Sequence, residues 1–295
     1  MKPKIIVIVG PTASGKTALS VELALRLRGE VVSADSRQVY RGCDLGTGKV
    51  TREEMRGVPH HLLDVADPRE GYTVADFVRD GRTAIDDIRS RGNVPIVVGG
   101  TFFYIDALLG RVSAPDVPPN EELRARLEPL PAPDLYELLR MRDPARAAAV
   151  DPANKRRLIR ALEIVEAKGI VPPHAPDEVY DALTIGIRVA PAVLRESIRA
   201  RLEERIKAGM IDEVVDLEES GIPFERIESL GIEYEHIVAF LKGSCDEVEL
   251  RERITTKSYQ YAKRQMTWLK RDATIRWVEP GDIQTTLTLV KDFLS

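Results

Sequence analysis

Eight residues near the N-terminus, GPTASGKT, complete the pattern G-x-x-x-x-G-K-T through Gly10, Gly15, Lys16 and Thr17. Such a loop is built to hold a chain of phosphates. Its glycines let backbone N–H groups turn onto phosphate oxygens at a helix N-terminus, Lys16 adds positive charge, and the Thr17 hydroxyl is placed to ligate Mg2+. The loop alone does not say which phosphate ester binds or which bond breaks. Hydrolases of this kind usually carry a carboxylate at the end of another apolar strand, to hold Mg2+ and a water. Here the run PIVVGG ends in Gly99 and Gly100, followed by Thr101, with no acid. The best acid is Asp35, in SADSRQVY after a second apolar run. It is a candidate to bind a hydroxyl, position Mg2+ or take a proton from an acceptor; the alternative is a cap, with Ser36, for a following helix.

These residues need a sheet edge to bring them together. Ile5 to Val9 is β-branched throughout, which predicts a central parallel strand covered on both faces. A helix is expected from Lys16 to Leu27, with Leu19, Leu23 and Leu27 spaced by four, then a strand over Glu30 to Ala34. A third strand, Pro95 to Val98, turns at the double glycine into another helix. The expected fold class is α/β, a P-loop NTPase-like parallel sheet core with a helical insertion domain, and ligands belong at the carboxyl ends of the strands. From about Ala114 the chain becomes rich in Pro, Glu and Arg without strand-like runs. Residues 114–182 are therefore expected to form the insertion, closing near Val171 to Pro176, and 1–113 together with 183–295 the core. The segment ALTIGIRV predicts a strand returning to the sheet, and TIRWVE a short strand before the last helix.

A hydrophobic content of 43% over 295 residues supports a sizeable core. The net charge of −4 means that attraction to nucleic acid must come from local basic patches. Two distant cysteines, Cys43 and Cys245, support neither a disulfide framework nor a zinc site, and reduced cytoplasmic thiols are the expectation. No stretch approaches bilayer-spanning length, and the first apolar run leads into glycines as a buried strand does, not into a signal-peptide cleavage site.

The segments GPTASGKTAL, SADSRQVYRGCDLGTGK, PHHLLDVADPREGYTVADF, VVGGTFFYIDALLG, NKRRLIRALEI and AKRQMTWLKR, in this order, resemble the tRNA dimethylallyltransferase (tRNA isopentenyltransferase) family over nearly the whole chain. The resemblance implies transfer of a five-carbon group from dimethylallyl diphosphate to the exocyclic amine of the adenine 3′ of the anticodon. The loop then serves a leaving pyrophosphate, and water is best excluded, since it would capture the activated allyl group. By resemblance, Gly10, Pro11, Thr12, Ala13, Ser14, Gly15, Lys16 and Thr17 line the diphosphate site, with Mg2+ as cofactor. Arg201 and Arg205 are similar to family arginines near the diphosphate, although solvated helix charges are the alternative. Asp35 is the implied base for the amine and Thr101 a second polar contact to it, with a helix cap as the other use of Thr101.

The basic residues are clustered. Between Arg251 and Arg271 stand seven Lys or Arg against one acid, Glu252, and at helical spacing Arg253, Lys257, Gln260, Arg264 and Arg271 share one sector beside a packing face with Ile254, Tyr261, Ala262 and Leu269. Solvated faces normally mix signs, so this one favours phosphate binding. Tyr259 and Trp268 are either base-stacking or core residues. By resemblance Asp35, Ser36, Arg37, Gln38, Thr101, Arg124, Arg156, Arg157, Arg160, Lys263, Arg264, Gln265, Trp268 and Lys270 meet tRNA. The picture is a clamp on the anticodon stem-loop by a monomeric enzyme, with the target adenine splayed out of its stack.

Two departures from the family pattern stand out: RIKAGMIDEV is compressed by about one helical turn, which predicts a shorter helix, and Tyr234 is displaced by two residues from the usual position, which puts an RNA contact there in doubt. An adenylate isopentenyltransferase acting on free nucleotide, a P-loop small-molecule kinase and a non-enzymatic RNA-binding module are the competing readings.

Overall fold

The computed structural model describes residues 2–112, 115, 117–172 and 177–295. Among them six strands, β1 Lys4–Val9, β2 Gly29–Ser33, β3 His60–His61, β4 Val94–Gly99, β5 Asp181–Ile187 and β6 Arg276–Val278, make one sheet ordered β3-β2-β4-β1-β5-β6. Every neighbouring pair is parallel, with Val7 of β1 opposite Val97 of β4 and Thr184 of β5. The alternation of side chains along β1 explains its unbroken apolar sequence. Ile5, Val7 and Val9 pack with Phe77, Ile85 and Leu108 on one face, while Ile6 and Ile8 pack with Leu19, Leu23 and Val290 on the other.

The helices, in chain order, are α1 Lys16–Leu27, α2 Arg52–Met55, α3 Val74–Ser90, α4 Phe102–Leu109, α5 Glu121–Leu127, α6 Ala132–Arg142, α7 Pro144–Ala149, α8 Lys155–Lys168, α9 Pro191–Lys207, α10 Met210–Glu219, α11 Phe224–Glu228, α12 Ile232–Leu241, α13 Glu247–Leu269 and α14 Ile283–Leu294. Local sequence sets several of their starts. Thr73 opens α3 in a reciprocal capping box with Asp76, and Asn120, Asp143 and Asn154 cap α5, α7 and α8 by accepting from backbone N–H groups.

The chain divides into two compact units, Met1–Arg111 with Glu178–Ser295, and Val112–Asp177. The expected start of the insertion at Ala114, and residues 173–176 of its expected close near Val171 to Pro176, lie outside the described residues. The second unit has its own core, in which Leu123, Leu135, Leu139, Leu158 and Leu162 meet. In the first unit a further cluster, including Val39, Cys43, Met210, Tyr234 and Ile254, joins the segment after β2 to α9, α10, α12 and α13.

The two-residue strand β3 and the 17-residue helix α3 had no counterpart in the sequence expectations. Strand β2 ends at Ser33, not Ala34, and β4 lies between it and β1. In the compressed segment α9 ends at Lys207, and Gly209, at φ +100°, opens α10. A left-handed residue suits such an abrupt change of direction, and glycine adopts it without steric cost.

Candidate active site

The phosphate loop runs from the end of β1 into α1. Gly15 stands at φ +88° as the residue preceding the helix, and Ala13 is also left-handed at +60°. Lys16 folds back so that its Nζ donates to the Pro11 carbonyl at 2.7 Å. Withdrawal from water pushes the Lys16 ammonium down to about 8, while the charge of Asp35 pulls it up and that of Arg201 pushes it further down. The buried Ser14 hydroxyl has no hydrogen-bond partner among the described residues, and Thr17 is exposed on the first turn of α1. Ala13 packs towards Leu194 and Ala262.

Asp35 lies two residues beyond β2, reached over the end of β4. That approach depends on two glycines. A Cβ on Gly99 would collide with the Ala34 carbonyl, and one on Gly100 with the Gln265 amide nitrogen. Across this gap Ala34 N–H donates to the Val98 carbonyl at 2.7 Å and Thr101 N–H to the Ala34 carbonyl at 3.2 Å. Asp35 does not cap a helix: its Oδ1 accepts from Arg37 N–H at 2.9 Å, closing a local turn. Thr101 precedes α4 without capping it through its side chain. Its Oγ1 instead accepts from Ser36 N–H at 3.0 Å and donates to Ser36 Oγ at 3.3 Å. The Tyr261 phenol is pushed up to about 12, first by burial and then by the Asp35 charge.

The two arginines of α9 have different surroundings. Arg205 donates from Nη1 to the Leu45 carbonyl at 3.0 Å and from Nη2 to Glu233 Oε1 at 2.9 Å, so it ties the loop after β2 to α12. Arg201 makes no ion pair among the described residues. It keeps an exposed outer face, yet desolvation of the guanidinium and the neighbouring Arg205 charge hold it below the ordinary arginine range. Both guanidinium groups lie over Gly48, where a Cβ would come within 3.2 Å of Arg201 Nη2 and 3.3 Å of Arg205 Nη1.

That loop is itself held by a carboxylate. Glu213 accepts from the N–H groups of Asp44, Leu45 and Gly46 at 2.8, 2.6 and 2.9 Å and from the Tyr234 hydroxyl at 2.7 Å. Tyr234 is fully buried, and only a glycine at 46 leaves room for its ring. The displaced tyrosine is thus a strut under the loop and not a surface residue. Gln38 is also engaged internally, donating from Nε2 to the Gly48 carbonyl at 3.2 Å and accepting from Ser33 Oγ at 3.4 Å. Arg37 is exposed and donates to the Ser229 carbonyl at 2.8 Å.

Helix α13 buries Leu250, Ile254, Ser258, Ala262, Gln265 and Leu269 at spacings of three and four, and exposes Arg253, Lys257, Gln260, Lys263 and Arg264. Lys263 also lies over the Tyr259 ring and Arg264 over Tyr261, while Lys270 is exposed at the helix end. Two expectations, for Arg271 and Gln265, change here. Arg271 falls past the end of the helix and stacks over Trp268, so it is not part of the helical stripe. Trp268 packs against the core, one of its two expected uses, and Tyr261, expected on the packing face, is half-buried. Gln265, expected at the RNA surface, is 5% exposed and both ends of its amide are bonded to backbone.

In the second unit the arginines separate in the same way. Arg124 and Arg160 converge on Glu163, whose side chain is 0% exposed: Arg124 Nε donates at 2.8 Å and Arg160 Nη1 at 3.2 Å, with Asn120 N–H at 2.8 Å. Despite its burial, these donors hold the Glu163 carboxyl below the ordinary carboxylate range. Arg156 and Arg157, on the first turn of α8, are exposed.

A phosphate loop, an unpaired guanidinium and an acid with an adjacent hydroxyl pair therefore converge at one end of the sheet. Residues 38–272 match the family model described as IPP transferase. A tRNA dimethylallyltransferase of Thermomicrobium roseum is 43% identical over 289 residues, covering 94% of this chain and 87% of that protein. One from Halalkalibacterium halodurans is 40% identical over 294 residues, covering 96% and 93%. Among solved structures, the full-length tRNA isopentenylpyrophosphate transferase of Bacillus halodurans superposes with a TM-score of 0.73 at 38% identity, covering 99% of this chain and 95% of that one. A eukaryotic dimethylallyltransferase acting on tRNA gives a TM-score of 0.83 at 27% identity, over 99% and 79%.

Proposed function

The chain belongs to the IPP transferase family, and from that premise we propose how its site works: it transfers a dimethylallyl group from dimethylallyl diphosphate to the exocyclic amine of the adenine 3′ of the anticodon in tRNA. The amine attacks C1 of the donor, a carbon–nitrogen bond forms, and the C1–oxygen bond breaks with its electron pair passing to the diphosphate. The loop N–H groups from Ala13 to Thr17, with the Lys16 ammonium and Arg201, are suited to meet that growing charge, which is where fixed donors accelerate a reaction most. Asp35 receives the amine proton, and Thr101 with Ser36 orients the amine. The observation that carries this reading is geometric: Ala34, next to Asp35, lies against Gly99 at the end of β4, and Gly100 lies against Gln265, which accepts from Thr12 N–H of the phosphate loop at 2.8 Å. It puts a proton acceptor and a diphosphate cradle within reach of one small substrate.

Mg2+ fits this donor set as a companion of the diphosphate. Thr17 offers an exposed hydroxyl, Ser14 holds a buried unpartnered one, and no cluster of three His, Cys, Asp or Glu occurs among the described residues. Mg2+ is commonly bound by substrate phosphates with one or two protein ligands, and Thr17 would hold it here. Its chemistry when bound is to neutralise leaving-group charge.

For tRNA, the exposed cations Lys257, Lys263, Arg264 and Lys270 on the first unit, and Arg156 and Arg157 on the second, are suited to phosphates. Arg37 and Ser36 are suited to the nucleotides beside the target. No described helix is long and apolar enough to cross a membrane. A monomer acting on cytoplasmic tRNA completes the reading.

The test is a competition. The protein is incubated with Mg2+, unmodified tRNA, AMP, and distinguishable labels in dimethylallyl diphosphate and ATP. Prenyl label on tRNA is expected; phosphate transfer from ATP, or prenyl-AMP as sole product, would contradict the assignment.

A further inference from the structure

Gln265 sits in KRQMTW directly after the exposed Lys263 and Arg264, yet it points into the protein. Its Oε1 accepts from Thr12 N–H of the phosphate loop at 2.8 Å, and its Nε2 donates to the Gly100 carbonyl at 2.9 Å. The two backbone partners fix which way the amide faces, because one is only a donor and the other only an acceptor. The amide also fills the space that a Cβ on Gly100 would need. One side chain thus bridges the loop after β1 and the end of β4, and Gly100 leads directly into Thr101, which holds Ser36 beside Asp35.

We propose that Gln265 is a positioning residue for the transfer reaction: it sets the phosphate loop at Thr12 relative to the Thr101–Asp35 side of the site. The inference rests on the function assigned above. Without the amide, Thr12 N–H and the Gly100 carbonyl lose their partner in a buried place, and each is free to turn away from its present direction. The donor diphosphate then meets a loop that is no longer fixed, while the outward cations of α13 are untouched.

The test uses Gln265→Met and Gln265→Glu in the full chain, with donor and tRNA kinetics, tRNA binding and thermal unfolding measured in parallel. Methionine matches the length without hydrogen bonds, and kcat/KM for the donor is expected to fall about tenfold or more, with the Kd for tRNA within about twofold of wild type. Glutamate separates positioning from bulk. As a carboxylate it cannot donate to Gly100; protonated, it presents both a carbonyl and an O–H and mimics the amide. The ratio of Gln265→Glu to wild-type kcat/KM should therefore rise as pH is lowered from 8 to 5.5. Donor kinetics near wild type for Gln265→Met, an equal loss of tRNA affinity, a flat ratio for Gln265→Glu, or unfolding of both variants would each overturn the proposal. A wild-type protein that transfers no prenyl group would instead remove the underlying function.

Discussion

Strand β2 has an acid near each end, and the two differ in how completely the fold answers them. Glu30, at its start, is 4% exposed and receives Arg91 Nη2 at 2.8 Å, Arg91 Nε at 3.1 Å and Asn93 Nδ2 at 2.7 Å, with His61 Nε2 at 2.7 Å. Asp35, beyond its other end, is half-buried and has one local N–H bond, to Arg37, on one of its two oxygens. The same contrast divides the arginines: Arg124 and Arg160 are consumed by Glu163, while Arg201 is paired with no acid among the described residues. Charge alone marks neither a site nor a strut. What distinguishes them is whether the fold supplies the counter-charge or leaves it to the substrate.

The contrast is breakable at each point. The largest effect is expected at Asp35: Asp35→Asn should lower kcat about a thousandfold, with tRNA binding and melting temperature close to wild type. Near-normal single-turnover rates would mean that some other group accepts the amine proton. Glu30→Gln should do the opposite, sparing donor kinetics and lowering stability. Arg91, and after it Asn93 and His61, outweigh burial and hold the Glu30 carboxyl at about 2 against an ordinary 4.5. A carboxyl lowered in this way stabilises the fold above its unfolded value and loses that contribution as pH falls from about 4.5 to 2. At neutral pH the contribution is at most about 3 kcal/mol. Denaturation of wild type and variant should therefore differ most at pH 7 and converge only below about pH 2; a constant gap would remove the linkage.

Arg201→Ala sharpens the arginine comparison. It should raise the donor KM by about tenfold or more at unchanged melting temperature, whereas Arg205→Ala should loosen the fold through Leu45 and Glu233. Reversed behaviour in kinetics and thermal scans would exchange their roles. Smaller still is the effect of pH on Lys16. With the free ammonium at about 8, kcat/KM for the donor should decline about tenfold per unit above that value, and a pH profile level to 9.5 would separate the lysine charge from donor binding.

Much of the fold was legible because its signals are local. β-Branched runs predicted β1, β2 and β4 to within a residue or two, and GPTASGKT carried its own geometry. Strand β3 was not legible, since two histidines have no periodicity to read. The acid-free VVGGT was visible as an oddity, but its reason was not: Gly99 and Gly100 are required by Ala34 and Gln265, which are distant in sequence. Gln265, Gln38, Arg205 and Tyr234 share that difficulty. Each is a polar residue whose type suits a surface, and only tertiary partners show it turned inward. A glycine pair opposite a buried amide on another helix is the one sequence trace that such a tie leaves.

The central claim is that the phosphate loop receives a departing diphosphate after carbon–oxygen cleavage. It is tested most directly by dimethylallyl diphosphate labelled with 18O at the oxygen bridging C1 and phosphorus. After one turnover with unmodified tRNA, all of the label is expected in released diphosphate, with a prenyl group on the adenine amine. Label retained on a five-carbon alcohol, or a phosphoryl group on the RNA, would contradict it.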